Sequence, residues 1–173
     1  ERAMGAQDQG ADATAGRWLT IPRTLCFVTH GNDVLLLRRA PHKRVFPNRY
    51  NGVGGHIERD EDALTAAVRE IQEETGLDVR NVCLCGCSHI DTGQQTGVLL
   101  LIFRAEAVSR DFTDSSEGTL EWVAQDRALE LDLVEDLPII LPRVLAMPPG
   151  APPFFVHVSY DEADQIRLIF AAG

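Results

Sequence analysis

The sequence lacks any long hydrophobic run. Its longest apolar run covers only residues 98–103, whereas a membrane-spanning helix needs about 20 such residues. A cationic segment followed by an apolar stretch, as in a secretory signal, is also missing near the start. The chain opens on Glu1 rather than Met, so the sequence need not start at a native N-terminus. The two absences predict a cytoplasmic protein with no membrane partner.

Positive charge is scarce as well. The chain has 16 Lys and Arg against 26 Asp and Glu, a formal net charge of −10. Proteins that grip a polynucleotide backbone neutralise its phosphates with Lys and Arg, so the charge balance predicts no polynucleotide partner. A small polyphosphate can still bind an acidic protein when divalent cations bridge the two sets of negative charge.

Cysteine is limited to four residues, three of which form a C-x-C-x-C run at Cys83, Cys85 and Cys87. Such a run could be a metal or redox site, but zinc sites usually use longer spacings and a second pair of ligands. The alternation also fits a β-strand with small residues on one face, and we favour that interpretation with reduced thiols.

The length of 173 residues suits one domain. Residues 1–16, rich in Ala, Gly, Asp and Gln, are predicted to be a flexible lead-in, and residues 17–173 a single domain. The elements expected along it are strands at 24–29 and 33–37, a Gly-rich strand from 51, a helix at 62–75, strands at 80–92, 97–107 and 118–123, a helix at 137–145, and a hairpin at 154–160 and 165–170. This order predicts an α+β fold, an α/β/α sandwich on a mixed sheet.

The first helix carries the strongest local signals. Asp60 is the expected N-cap and Gly76 is placed to end the helix. The residues expected to face the core are Leu64, Val68, Ile71 and Thr75.

Three acidic residues of that helix, Glu70, Glu73 and Glu74, lie at i, i+3 and i+4, so their carboxylates crowd one face. The small residues expected on or beside this face, leaving space above it, are Ala63, Ala66 and Ala67. Like charges at these spacings destabilise a helix unless something offsets their repulsion. Hard oxygen ligands in this arrangement suit Mg²⁺ or Mn²⁺. The alternative is a solvated acidic face, which is common on helices.

The stretch GHIERDEDALTAAVREIQEETGL, starting at Gly55, resembles the Nudix box, G-x₅-E-x₇-R-E-U-x-E-E-x-G-U with U aliphatic. The resemblance implies a Mg²⁺-dependent hydrolase of phosphoanhydride bonds. It gives Gly55, Glu61 and Gly76 structural roles and makes Arg69 the cation that pairs with Glu61 and orients the loop and helix. The metal ligands that it implies are the Gly54 carbonyl, Glu70, Glu73, Glu74 and Glu117. Glu70 is the candidate base, and Arg69 and Glu73 complete the catalytic set.

Segments outside the box resemble 8-oxo-dGTP diphosphatases of the MutT type and their human counterpart. The resemblance places Asn51 at the purine edge, with Asp136 as a base-reading acid and Glu135 as its rival. The stacking Trp of the human type is absent; Val134 is nearest by spacing, and Phe46 or Tyr50 could replace it or pack in the core. The loop after the second strand contains the basic residues Arg38, Arg39, Lys43 and Arg44. They either hold a triphosphate, with Arg39 and Arg44 as the main candidates, or only make the loop soluble.

The resulting functional prediction is cleavage of a nucleoside triphosphate, 8-oxo-dGTP or a related purine dNTP, to a nucleoside monophosphate and pyrophosphate. Two or three Mg²⁺ ions would be held by the acids, while Glu70 activates the attacking water. The alternatives are hydrolysis of ADP-ribose or a dinucleoside polyphosphate, and a nucleotide-sensing module without activity. The expected partner is a small nucleotide, and the sequence leaves a homodimer open.

Overall fold

A computed structural model describes residues 5–172. The strands are β1 Leu19–His30, β2 Asp33–Arg39, β3 Tyr50–Asn51, β4 Val79–Ile90, β5 Thr96–Ala107, β6 Gly118–Ala124, β7 Phe154–Tyr160 and β8 Ile166–Phe170. The two α-helices are α1 Ala63–Thr75 and α2 Leu137–Ala146. The predicted elements therefore all form, with one exception at the Gly-rich segment.

The strands build one mixed sheet in the order β3-β2-β1-β5-β4-β7-β8, and β6 pairs with β2. Strands β1 and β5 run parallel, as do β4 and β7, whereas the other pairs of named strands are antiparallel. Each face of the sheet has its own apolar core, one formed with α2 and the other with α1. The predicted α/β/α sandwich is confirmed.

The N-cap of helix α1 is Asp62, not the expected Asp60. The Asp62 carboxylate accepts hydrogen bonds at 2.9 Å from the backbone N–H groups of Leu64 and Thr65. A side chain can cap only the first turn that follows it directly, and Asp60 lies two residues too early. Gly76 ends the helix as predicted, in the left-handed conformation with φ 70°.

The buried face of α1 also differs from the prediction. Leu64 and Val68 are 49% and 41% exposed, whereas Ala66 and Ala67 are fully buried and join Ile71 and Thr75 in facing the sheet. The two alanines therefore do not leave space on the acidic face. Small residues let the helix lie close to β1, where the Cys26 thiol lies 3.9 Å from the Ala67 carbonyl oxygen. A pattern of large apolar residues points to the wrong face when alanines make the contact.

The Gly-rich segment is a strand only at Tyr50–Asn51. Beyond it the chain follows β1 through isolated bridges, Cys26 with Val53 and Arg23 with His56. Gly54 has a φ of 147°, and a Cβ there would lie 2.2 Å from the Thr24 carbonyl oxygen. This close backbone approach explains why the segment is rich in glycine and why it does not pair as a regular strand.

The C-x-C-x-C run lies in β4, as predicted for a strand. All four cysteines are free thiols, with Cys26 and Cys85 buried and Cys83 exposed. The sulfur atoms of Cys83 and Cys85 are 3.9 Å apart.

The lead-in contains a short 3₁₀ helix at Ala6–Gln9, and residues 5–17 are exposed. The predicted flexibility of residues 1–16 is not tested, and residues 1–4 lie outside the described part of the chain. Within residues 5–172, no helix combines the length and apolar character that crossing a membrane requires.

Candidate active site

A cavity of about 770 Å³ opens between the Gly-rich segment, α1, the segment before β6 and the last hairpin. One wall is acidic, formed by Glu70, Glu73, Glu74 and Glu117. The opposite end is lined mainly by the aliphatic residues Ile90, Val98, Leu100, Val134, Val158 and Ile166. The cavity therefore joins a polar, anionic half to an apolar half.

Arg69 organises the acidic wall. Its guanidinium donates to Glu61 at 2.6 and 3.0 Å and to the His56 carbonyl oxygen at 3.1 Å. The same side chain reaches Glu70 at 2.9 Å and Glu73 at 3.1 Å. These bonds tie the loop before α1 to the helix, and the fork of Arg suits such shared recognition of carboxylates. The Glu61–Arg69 contact agrees with the expected pairing.

Gly55 makes room for Glu70. A Cβ at this position would lie 2.5 Å from the nearest carboxylate oxygen of Glu70. The Gly55 backbone is itself fixed to β1, because its carbonyl accepts a 2.8 Å bond from the Thr24 N–H. The absence of a side chain thus lets the carboxylate of Glu70 lie directly against backbone.

Glu74 is the most buried acid of the wall. One carboxylate oxygen accepts a 3.3 Å bond from the Gly54 N–H, while the other is buried and has no hydrogen-bond partner among the described residues. Burial, with the nearby charges of Glu70 and Glu117, raises the pKa of Glu74 to about 7. The neighbouring Cys26 thiol has its pKa raised to about 12, mainly by burial, so it stays protonated.

Glu117 approaches from the segment before β6. Its carboxylate forms a 2.7 Å ion pair with Lys43, and its backbone carbonyl accepts a bond from Ala40. The loop between β2 and β3 is therefore held against the acidic wall. Arg39 also lines the cavity, and its Nε donates to the Val45 carbonyl oxygen at 2.7 Å.

The donor set of this wall fits Mg²⁺ or Mn²⁺. Carboxylate oxygens are the ligands that these hard cations prefer, and the unpartnered buried oxygen of Glu74 needs a cation or a proton. The carboxylates are engaged by Arg69 and Lys43, and no three acidic, His or Cys side chains of residues 5–172 converge on one point. Binding of a metal thus involves an exchange of partners at Glu70, Glu73 or Glu117.

Three of the predicted base-recognition residues line the cavity: Asn51, Glu135 and Asp136. Asn51 accepts a bond from the Gly52 N–H at 2.8 Å through its side-chain oxygen. Asp136 is buried, and this burial raises its pKa. Glu135 accepts a 3.3 Å hydrogen bond from the Tyr160 hydroxyl, whose pKa burial and Glu135 raise to about 12.

The three residues considered for stacking on the base differ in whether they line the cavity. Phe46 and Val134 line the cavity, whereas Tyr50 does not. All three contact the α2-side core, and the Tyr50 hydroxyl donates to Glu121 at 3.1 Å. Phe46 has a φ of 48°, an unusual conformation for an aromatic residue. Arg44 lies in the basic loop but does not line the cavity.

Sequence reasoning missed several polar residues of the cavity, among them Thr24 and Tyr160. Thr24 comes from β1 and Tyr160 from the last hairpin, far from any motif. Thr24 gave no signal because it lies in an apolar run. The hairpin was predicted, but its approach to the acidic segment before α2 depends on the parallel pairing of β4 and β7.

The comparisons with known proteins identify the family and fold of this chain. The NUDIX domain family matches residues 19–144. A MutT protein from Bacillus halodurans superposes with a TM-score of 0.72 at 28% identity, covering 86% of this chain and 97% of that one. A MutT Nudix hydrolase from Burkholderia pseudomallei, at 20% identity and a TM-score of 0.63, shares the fold over 72% of this chain and 98% of its own.

Two curated relatives act on capped RNA. The m7GpppN-mRNA hydrolase NUDT17 of Xenopus laevis is 39% identical over 67 residues, which is 39% of this chain and 23% of that protein. The NAD-capped RNA hydrolase NudC of Pseudomonas aeruginosa is 31% identical over 107 residues, 61% of this chain and 36% of that protein. The chain thus spans only about a quarter to a third of the length of these relatives.

Proposed function

Since the chain belongs to the Nudix domain family, we propose that it is a Mg²⁺-dependent hydrolase of a phosphoanhydride bond in a nucleotide. The observation that carries the proposal is the acidic wall beside an apolar cavity end, with one buried carboxylate oxygen of Glu74 unpartnered in residues 5–172. A cavity with a polar and an apolar half suits a ligand that has both phosphates and a base.

The residues proposed to hold Mg²⁺ are the Gly54 carbonyl, Glu70, Glu73, Glu74 and Glu117. When bound, the cation would neutralise charge on the phosphates and on the leaving group. Glu70 would accept the proton of the attacking water, since its carboxylate lies against the Gly55 backbone inside the cavity. Arg69 would position the carboxylates of Glu61, Glu70 and Glu73, which it contacts directly.

For the substrate, we propose a purine nucleoside triphosphate, 8-oxo-dGTP or a related dNTP, cleaved to a monophosphate and pyrophosphate. Asn51 offers an amide donor and acceptor to the base edge. Asp136, whose pKa burial raises, is proposed to contact the base edge, with Glu135 as the rival acid. Phe46 is the proposed stacking residue. Arg39 is proposed to contact the phosphates, and Arg44, outside the cavity, would act only if its loop moved.

Capped nucleotides form the second candidate class, because the relatives NUDT17 and NudC are named as hydrolases of capped RNA. Such substrates carry a nucleotide on both sides of the cleaved bond. The net charge of −10 favours small substrates over long RNA.

The test is a release assay for phosphate and pyrophosphate on a panel of 8-oxo-dGTP, dGTP, ADP-ribose, a dinucleoside tetraphosphate and a cap dinucleotide, with Mg²⁺ or with chelator. We expect Mg²⁺-dependent cleavage, fastest for the purine triphosphates. Preferential cleavage of ADP-ribose or of the cap dinucleotide would overturn the substrate assignment, and cleavage in chelator would overturn the metal assignment.

A further inference from the structure

A second cavity, of about 360 Å³, adjoins the main one. The two share Arg39, Ser115 and Ser116, all on the side of Glu117, and none of the aliphatic residues of the far end. The two cavities therefore adjoin on the side of Glu117 and not at the aliphatic end. We call it the annex, defined by Arg38, Asn48, Ser116 and Thr119.

The annex is rich in hydrogen-bond donors and cationic. Within the part of the chain that the structure describes, no acidic side chain lines it. Arg38 and Arg39 bond only backbone oxygens through Nε, of Asn48 at 3.4 Å and of Val45 at 2.7 Å, and neither has an ion pair in residues 5–172. Their terminal NH₂ groups thus remain for a ligand, in a chain that is strongly acidic as a whole.

Strand pairing makes this arrangement rigid. Arg38 of β2 lies directly opposite Thr119 of β6 in the antiparallel register. A Cβ on the neighbouring Gly118 would lie 2.0 Å from the Arg38 carbonyl oxygen, so the two strands meet closely here. Arginine forks and hydroxyl groups held on strands are well suited to phosphate oxygens.

We propose that the annex binds the anionic group beyond the cleaved anhydride, so that it is the subsite of the phosphorylated leaving group. The inference rests on the proposed function and specifies where its leaving group binds. The shared chemistry is a phosphate attached past the scissile bond, either the end of a free triphosphate or the phosphate next to a second nucleoside. A cavity of 360 Å³ is in the range that accepts a small organic ligand.

The first test is calorimetric binding of inorganic pyrophosphate in the presence of Mg²⁺. Loss of a charge-assisted hydrogen bond should weaken pyrophosphate binding to Arg38→Gln about tenfold. Thr119→Val should weaken it less, and Arg38→Lys should restore part of the affinity. The matched control is Arg127→Gln, an exposed arginine that lines neither cavity and pairs with Glu130. Unchanged affinity in Arg38→Gln, with the fold verified by circular dichroism, would overturn the proposal.

The second test compares kcat and KM of Arg38→Gln for a nucleoside triphosphate and for a dinucleoside tetraphosphate. A KM increase with the triphosphate identifies terminal phosphates as the occupant, and an increase with the tetraphosphate alone identifies the second nucleotide. If KM increases with neither substrate, the proposed role of the annex is contradicted. If the wild type cleaves neither, the proposed triphosphate substrate is wrong, while pyrophosphate binding still decides the role of the annex.

Discussion

Glu70 is the proposed proton acceptor for the attacking water, and replacing it with Gln tests this role. Glu70→Gln keeps the size of the side chain and removes its charge, so we expect turnover to fall by about two to four orders of magnitude. The fold should remain, as judged by circular dichroism and the thermal midpoint.

The matched control is Glu106→Gln, an exposed acid on β5 that pairs with Arg80. This variant should keep wild-type turnover in the release assay. A Glu70→Gln enzyme with near-wild-type kcat would exclude Glu70 as the base.

Glu74 links stability to pH. Because its pKa in the folded protein is about 7, against an ordinary 4.5, the folded state retains a proton that the unfolded state has lost. Stability should therefore decrease as pH rises from about 4.5 to about 7, and remain level above that. The decrease is expected to be on the order of 1–3 kcal/mol.

The measurement is urea unfolding in chelator at about pH 5 and about pH 8, for the wild type and Glu74→Gln. The wild type should lose more stability between the two pH values than the variant, which has no ionisable group at this site. Addition of Mg²⁺ at about pH 8 should stabilise the wild type more. Equal pH dependence of both proteins would contradict the assignment.

At the scale of the element, α1 depends on its cap. The Asp62 carboxylate also accepts a 2.8 Å bond from the Thr65 hydroxyl, in addition to the two backbone N–H groups. Asp62→Ala should therefore destabilise the protein by about 1 kcal/mol in urea unfolding. Asp60→Ala is the internal control, and we expect it to be neutral. A larger loss of stability in Asp60→Ala than in Asp62→Ala would show that Asp60 is the N-cap.

The elements were well predicted where one local rule sufficed. Turn residues, apolar alternation and the Gly76 stop gave the strands, hairpins and helix end. The first turn and buried face of α1 were predicted wrongly, because the competing caps Asp60 and Asp62 look alike in sequence and because alanines, not Leu64 and Val68, contact β1. The box residues could be found from their spacing alone.

The rest of the cavity could not be found in this way. Tyr160 reaches Glu135 only because β7 lies parallel beside β4. Likewise Arg38 meets Thr119 through the register of β2 and β6, which no local pattern fixes. Contacts between residues distant in sequence depend on the whole sheet, and sequence periodicity reports on one element at a time.

At the scale of the whole molecule, the cavity collects residues from Arg23 to Ile166. The acidic wall comes mainly from α1, whereas the aliphatic end comes from β4, β5 and the last hairpin. In the proposed function, reaction chemistry and ligand selection are thus assigned to different parts of the chain. Such a division is compatible with the different capped substrates for which the relatives NUDT17 and NudC are named.

The late position of the last hairpin has a consequence for how the protein matures. During synthesis, the carboxylates of α1 leave the ribosome long before Val158, Tyr160 and Ile166 exist to close the opposite side of the cavity. A nascent chain therefore contains the acidic part of the cavity before the aliphatic end is complete.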